Sequence, residues 1–358
     1  LIESIELVHF RNYREAHVTL DQGLHLVTGK NAQGKTSLLE AITLVSSGRV
    51  IRGMRDAEAI HEGQTEAKVT AVTLPHRTAI SVVLASGVRK KAFLNHASLP
   101  RASDLLGRLP SVIFSNADLP VVREDASNRR LMMDLELSQM SGLYLRHFTQ
   151  YKRALEHRNA LLKHDHLSDE PHIEIWETQL AEHGAAIREA RAQFIAELGA
   201  LASEIYAELS GGEKLTLAYA PADGGDSAEA LRFLYADHRR EEHRRGSSKI
   251  GPHRDDVRIE IGGKDARIFG SMGQQRSAAI SMKLAVVPLL ETSRGEPPIV
   301  LLDDILSELD QGRRDRLLEW VSRASRQILL TCNEPEQAGE TRHRARILRI
   351  DQGKVVAG

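Results

Sequence analysis

Gly29-Lys30-Asn31-Ala32-Gln33-Gly34-Lys35-Thr36 fits the pattern G-x-x-x-x-G-K-[ST], and its setting decides the fold. The residues before it, Leu24-His25-Leu26-Val27-Thr28, are strand-like, and those after it carry Leu38, Leu39, Ile42 and Val45 on one side of an expected helix. A loop between strand and helix lets glycines turn successive backbone N–H groups inward around phosphates. Lys35 is then placed to reach the β- and γ-phosphates and the Thr36 hydroxyl to ligate Mg²⁺. An ordinary glycine-rich turn is the competing explanation, and both flanks weigh against it.

Far downstream, Ile299-Val300-Leu301-Leu302 runs into Asp303-Asp304. Four apolar residues in a row suit a parallel strand buried on both faces, whose end delivers Asp303 to the Mg²⁺ side of the loop and Asp304 to the attacking water. Alone, an acidic pair after a strand is a turn or a helix cap. Beside the phosphate loop, it completes the expectation of a nucleoside triphosphatase using ATP and Mg²⁺.

A chain of 358 residues exceeds the usual size of one core, so two lobes are expected. The apolar share of 41% supports a folded protein. Cys332 is the one cysteine, which rules out an internal disulfide framework and suits a reducing cytoplasm. Neither a signal peptide nor a membrane span is expected. With a formal net charge of −1, any nucleic-acid surface must be local. Candidates are Arg89-Lys90-Lys91, Arg129-Arg130, and Arg239, Arg240, Arg244, Arg245 and Lys249. Asp237, Glu241 and Glu242 interrupt the last group, so a solvated helix face and a phosphate-binding surface both fit it.

Up to about Leu109 the pattern is strand-rich, with an antiparallel meander expected through residues 67–73, 78–84 and 88–94. From Asn128 helical spacing takes over, marked by Leu131, Leu135, Tyr144, Phe148, Tyr151 and Leu155. Ile173, Leu180, Ile187, Phe194 and Leu201 then recur every seven residues, predicting a long helix packed on the one before it. Val257 to Ile261 and Arg267-Ile268-Phe269 read as strands.

ATP-binding cassette ATPases carry a third motif, typified by L-S-G-G-Q, that caps the γ-phosphate held by the opposite subunit. Leu209-Ser210-Gly211-Gly212-Glu213 is closer in letters, but it ends a helix before alternating Lys214 to Tyr219, so its glycines read as a C-cap and turn. Ser271-Met272-Gly273-Gln274-Gln275 opens a helix that leads directly to the Asp303 strand, and a helix start favours phosphate. Context selects the second. Ile305 to Asp310 resembles the interface-crossing D-loop. Where these ATPases often place a switch histidine, Thr331 is followed by Cys332 and Asn333.

The chain as a whole resembles the RecF family of SMC-like DNA replication and repair ATPases. The likeness rests on Phe10-Arg11-Asn12-Tyr13, on Thr36 to Ile42, on Gly48-Arg49 with Arg52, and on Gly251-Pro252-His253-Arg254-Asp255-Asp256. It rests also on Gly273-Gln274-Gln275-Arg276, on Leu301 to Asp304 and on Ser307 to Asp310. Where the family reads like F-S-P-E-D-L, this chain departs with Phe114-Ser115-Asn116-Ala117-Asp118-Leu119.

The resemblance implies an α/β fold: an ABC-type ATPase head, with a Rossmann-like P-loop lobe and an antiparallel β subdomain, plus an inserted α-helical arm. The expected divisions are 1–120 and 246–358 for the head and 121–245 for the arm. It implies ATP contacts from Gly29 through Ser37 (Gly29, Lys30, Asn31, Ala32, Gln33, Gly34, Lys35, Thr36 and Ser37) and from Arg11, with Ser271, Gly273 and Gln274 acting from a partner copy. Thr36 and Asp303 would hold Mg²⁺, and Asp304, with Lys35, would be catalytic. The short Asp304 suggests slow turnover. Further implications are an ATP-dependent homodimer on double-stranded or gapped DNA, gripped by arm residues including Arg239, Arg240, Arg244 and Arg245. RecR, RecO and RecA would be its partners in the DNA-damage (SOS) response. An SMC-like structural tether and a transporter ATPase subunit are the rival readings.

Overall fold

The computed structural model describes residues 1–50, 55–163, 170–324 and 327–357; Arg52 lies outside them. The chain divides into two compact units, one of Leu1–Asp118, Glu208–Ser210 and Lys283–Gly358, the other of Leu119–Ala207 and Gly211–Met282.

The first stretch of the chain contributes β1 (Ile2–Phe10), β2 (Tyr13–Thr19), β3 (Gly23–Thr28), α1 (Lys35–Ser47), β4 (Glu66–Thr73), β5 (Thr78–Ala85), β6 (Val88–Leu94), β7 (Ala97–Ser98) and β8 (Ser111–Phe114). The second unit holds α2 (Pro120–Arg123), α3 (Ala126–Met140), α4 (Gly142–Leu162), most of α5 (Glu170–Ser210), β9 (Leu215–Ala220), α6 (Ala228–Arg245), β10 (Asp256–Ile261), β11 (Lys264–Asp265) and α7 (Ala266–Phe269). After α8 (Met272–Arg294) come β12 (Ile299–Leu302), α9 (Gln311–Ala324), β13 (Gln327–Cys332), β14 (Arg346–Asp351) and β15 (Lys354–Ala357).

Two sheets build the first unit. In one, the order β15-β14-β3-β13-β12-β8 is parallel throughout except for the β14–β15 hairpin. Its central strands, β12 and β13, are buried at every residue, as expected of strands covered on both faces. The other is antiparallel, β2-β1-β4-β5-β6-β7, and contains the expected meander. Helix α1 touches β1, β4 and β5 of the antiparallel sheet and β8 and β13 of the parallel one. Leu38, Leu39, Ala41, Ile42, Leu44 and Val45 are fully buried there. That burial on both sides holds the start of α1 against the ends of the parallel strands.

Helix α5, most of it in the second unit, runs unbroken for 41 residues. Its seven-residue repeat is followed at first, with Ile173, Leu180, Ile187 and Phe194 buried; further on Ala202 is buried and Leu201 is half out. A straight helix of 3.6 residues per turn drifts about 20° per heptad, so the buried stripe slides off the strict repeat. Gly184 is buried on the same helix, where a Cβ would stand 3.3 Å from Tyr151 and 3.2 Å from Leu231.

Two expectations fail locally. Leu131 is 44% exposed, and α3 buries Met132, Met133 and Leu137 instead. Residues Arg267 to Phe269 form helix rather than strand, because the Asp265 carboxylate accepts the Arg267 and Ile268 N–H groups and caps a helical turn.

Candidate active site

The loop between β3 and α1 lines a cleft of 610 Å³ with Arg11, Asn12, Asp303, Asp304 and Thr331. Its backbone is wound into left-handed conformations at Gly29 (φ +144°), Ala32 (φ +64°) and Gly34 (φ +118°). A Cβ at Gly29 would lie 2.3 Å from the Ile350 carbonyl oxygen, so only glycine fits between the loop and β14. Arg11 and Asp304, both at φ +53°, join Ala32 as non-glycine residues at positive φ lining the cleft. Such backbone strain persists where the surroundings over-determine it and is concentrated at functional sites.

The surroundings are visible. Asn12 Nδ2 donates to the Gln33 carbonyl at 2.6 Å, Tyr13 Oη to the Gly34 carbonyl at 2.9 Å, and the Gly353 N–H to the Gln33 carbonyl at 3.0 Å. The Gln352 N–H donates to Gln33 Oε1 at 2.6 Å. Thus β1–β2 on one side and β14–β15 on the other hold the loop. Arg11 grips α1 through Nε and Nη2, each 2.9 Å from a Glu40 oxygen, while Nη1 donates to the Glu58 carbonyl.

Lys35 Nζ donates to the Gly29 and Lys30 carbonyls and, at 2.9 Å, to Asn333 Oδ1. Three acceptors match the three ammonium hydrogens. Burial lowers the Lys35 pKa, opposed by the charges of Asp304 and Asp303. The Cys332 thiol, at the end of β13, is pushed up to about 12 by burial and stays protonated.

Thr36 Oγ1 donates to Asp303 Oδ1 at 2.9 Å, across a separation of 267 residues. Thr331, buried at the end of β13, donates to the same oxygen at 3.0 Å and accepts the Asp304 N–H at 2.8 Å. Ser307 donates to Asp304 Oδ1 at 2.9 Å. The adjacent carboxylates are therefore separately oriented: Asp303 is buried beside Thr36, whereas Asp304 is exposed to the cleft. A hydroxyl and a carboxylate meeting at one point are hard oxygen donors of the kind Mg²⁺ takes.

Both signature candidates lie at helix ends. Gly211 and Gly212 have positive φ, and their N–H groups return to the Ala207 carbonyl, closing α5 as a C-cap ahead of β9. Ser271 instead caps the start of α8: its Oγ accepts the Gln274 N–H at 3.3 Å while Gln274 Oε1 accepts the Ser271 N–H at 2.9 Å, a reciprocal capping box. Gly273 lies between them in the first turn of that helix.

Among the basic candidates, Arg239 requires correction. It is buried, and its Nε and Nη2 donate to Glu177 at 3.2 and 2.7 Å. Glu177 also receives Arg158, which in turn donates to Glu242 and Ser248. A guanidinium committed to this buried network is not presented to DNA. Arg129 is likewise buried, on Asp256 and the Val121 and Glu124 carbonyls, and Arg130 Nη1 donates to the Asp255 carbonyl. Lys90 and Lys249 pair with Asp56 and Glu241. Arg240, Arg244 and Arg245 of α6, and Arg89 and Lys91 of β6, are exposed.

The Gly251 to Asp256 stretch braces the second unit. Asp255, fully buried, accepts Arg188 on both oxygens, the Tyr219 hydroxyl and the Ala222 N–H. Tyr151 Oη lies 2.7 Å from His253 Nδ1, and His253 Nε2 lies 3.1 Å from the Ser248 carbonyl, which makes Nε2 the protonated nitrogen. Gly251, at φ +115°, passes between the hydroxyls of Tyr151 and Tyr235, which a Cβ would approach to 2.5 and 2.6 Å.

Sequence reading missed Thr331 as the residue that orients both aspartates, and Asn333 as a partner of Lys35. A polar residue closing the apolar run Ile328-Leu329-Leu330 was the available signal for the first. The second had none, since 298 residues separate the pair.

A phosphate loop at the ends of parallel strands, facing an acidic strand end and backed by an antiparallel sheet, defines an ABC-type ATPase head. The chain belongs to the RecF family: the profile described as RecF/RecN/SMC N terminal domain matches residues 1–355, and relatives resemble it from end to end. It is 38% identical to the DNA replication and repair protein RecF of Heliobacterium modesticaldum, over 99% of this chain and 98% of that protein. The protein of that name from Staphylococcus aureus is 34% identical over 99% of each chain. A solved structure of the recombination mediator protein RecF-ATP in the RecFOR pathway superposes with a TM-score of 0.89 at 29% identity, covering 100% of this chain and 97% of that one. An Smc head bound to the C-winged helix domain of ScpA shares the fold, at a TM-score of 0.61 and 18% identity over 100% of this chain and 97% of that one. No helix among the described residues is long and apolar enough to cross a membrane.

Proposed function

We propose that this chain is an ATP-dependent DNA-binding clamp of recombinational repair and replication restart, acting in the cytoplasm. ATP binding joins two copies head to tail on gapped or junction DNA, where the clamp helps RecO and RecR load RecA. Weak, DNA-stimulated hydrolysis then resets it. The observation that carries this reading is the meeting of Thr36, Asp303, Thr331 and Asp304 at the phosphate loop, supported by full-length likeness to proteins named for DNA replication and repair.

In this reading the loop from Gly29 to Ser37 cradles the phosphates and Lys35 exchanges protein acceptors for phosphate oxygens. Thr36 and Asp303 hold Mg²⁺, which when bound offsets the charge on the phosphates. Asp304, its rotamer set by Ser307, takes a proton from the attacking water. Arg11 stays anchored on Glu40 beside the nucleotide. Ser271, Gly273 and Gln274 complete the partner's site. The head is formed from both ends of the chain, with the segment 121–245 as the arm and the exposed Arg240, Arg244 and Arg245 meeting DNA phosphates.

Sedimentation with a non-hydrolysable ATP analogue tests the assembly. Ser271→Arg should bind ATP as a monomer yet fail to dimerise, because a bulky cation replaces a small hydroxyl at the closing face, whereas Ser210→Arg should still dimerise. The reverse pattern would overturn the choice of motif.

A further inference from the structure

The discarded motif supplies a residue to the chosen one. Gln274 Nε2 donates to both carboxylate oxygens of Glu213, at 3.0 and 3.1 Å. Tyr206, buried on α5, donates its hydroxyl to Glu213 Oε2 at 2.9 Å. The chain reaches this position through Gly211 and Gly212, whose φ of +83° and +111° turn it sharply off the end of α5.

We propose that Glu213 is a positioning residue for the nucleotide-capping start of α8, acting through the Gln274 amide. This rests on the reading that Ser271 and Gln274 serve a partner's phosphate. An amide side chain has one accepting and one donating end, and the two can exchange by a flip; a carboxylate only accepts. Glu213 therefore draws the NH₂ end of Gln274 and leaves Oε1 for the Ser271 N–H, the contact observed at 2.9 Å. With the amide reversed, NH₂ would face N–H and the capping box would be lost.

Ser271 is exposed, so no surrounding core holds its hydroxyl. Its orientation depends on Gln274, and that of Gln274 on Glu213 and Tyr206. Ile268, Phe269 and Met272, exposed at 69%, 67% and 48%, flank the serine in sequence. Large apolar side chains grouped at a protein surface fit a face that another molecule covers.

Full-length variants separate this role from general stability. Glu213→Ala should weaken dimerisation driven by the ATP analogue about tenfold and lower kcat by a like factor, the worth of one hydrogen bond to a charged group. ATP affinity of the monomer and the KM for ATP should not change. Glu213→Gln, whose NH₂ end would face the Gln274 amide once Tyr206 occupies its one oxygen, should not restore dimerisation. In a Gln274→Ala background, Glu213→Ala should add nothing, since the two act as one unit. Tyr206→Phe should weaken dimerisation in the same direction. Additive losses from Glu213 and Gln274, or full dimerisation of Glu213→Gln, would overturn the proposal. Normal dimerisation of Glu213→Ala beside a dead Ser271→Arg would remove the positioning role alone. Normal dimerisation of Ser271→Arg would remove the underlying reading as well.

Discussion

The Lys35 ammonium meets the Asn333 amide oxygen at 2.9 Å, joining the start of α1 to the residue that follows β13. Asn333 is itself held, its N–H by Gln337 Oε1 at 2.8 Å and its carbonyl by the Gly29 N–H at 3.3 Å. A phosphate drawn to Lys35 must compete with that amide. Asn333→Asp, with a full charge facing the ammonium, should weaken ATP binding roughly tenfold. Lys35→Ala should abolish hydrolysis. Titration with a fluorescent ATP analogue and a phosphate-release assay check both; unchanged affinity in Asn333→Asp would show that the amide does not compete.

Asp304 and Asp303 are neighbours with different expected roles. Asp304→Asn keeps the shape but loses the base, so hydrolysis should fall by roughly 10² or more while ATP is retained and the dimer persists. Size-exclusion chromatography after ATP addition checks the trapping. Asp303→Asn should instead weaken the dependence of nucleotide binding on Mg²⁺.

Arg239 and its exposed neighbours on α6 should part company when mutated. Arg239→Ala leaves Glu177, itself buried, short of a cationic partner and should cost about 3 kcal/mol of stability. Replacing Arg240, Arg244 and Arg245 with alanine should leave thermal stability nearly intact. Duplex binding should weaken, and the slope of log affinity against log salt should fall by about three if each residue meets one phosphate. An unchanged slope, read by fluorescence anisotropy, would move the search to Arg89 and Lys91.

His253 makes the second unit acid-sensitive. Burial, with the nearby charges of Arg254 and Arg130, lowers its pKa from 6.5 to about 4 against the pull of Asp255 and the bond to Ser248. The unfolded chain thus binds a proton that the folded one refuses. This contribution is present in full above pH 6.5 and is lost as the pH falls toward 4. At pH 5 the loss should be about 2 kcal/mol. Urea unfolding at pH 7 and pH 5 measures it, and His253→Gln should flatten the difference.

The order of residues determined what depends on local order. Gly29 to Thr36 needed only its flanks to be read as a phosphate loop, because a strand, a tight turn and a helix start are adjacent in the chain. Gly211 and Gly212 were legible as a helix end for the same reason, as was the buried strand at Ile299 to Leu302. Tertiary structure decided wherever a side chain's partner is remote. Arg239 and Arg129 resemble DNA contacts in a string of letters, yet folding brings them to Glu177 and Asp256, 62 and 127 residues away. A guanidinium binds a carboxylate and a phosphate with the same fork of donors, so only burial tells the two uses apart. Lys35 with Asn333, and Gln274 with Glu213, are set by the same cause: the chain passes each pair through one point in space, and a hydrogen bond reads distance rather than order.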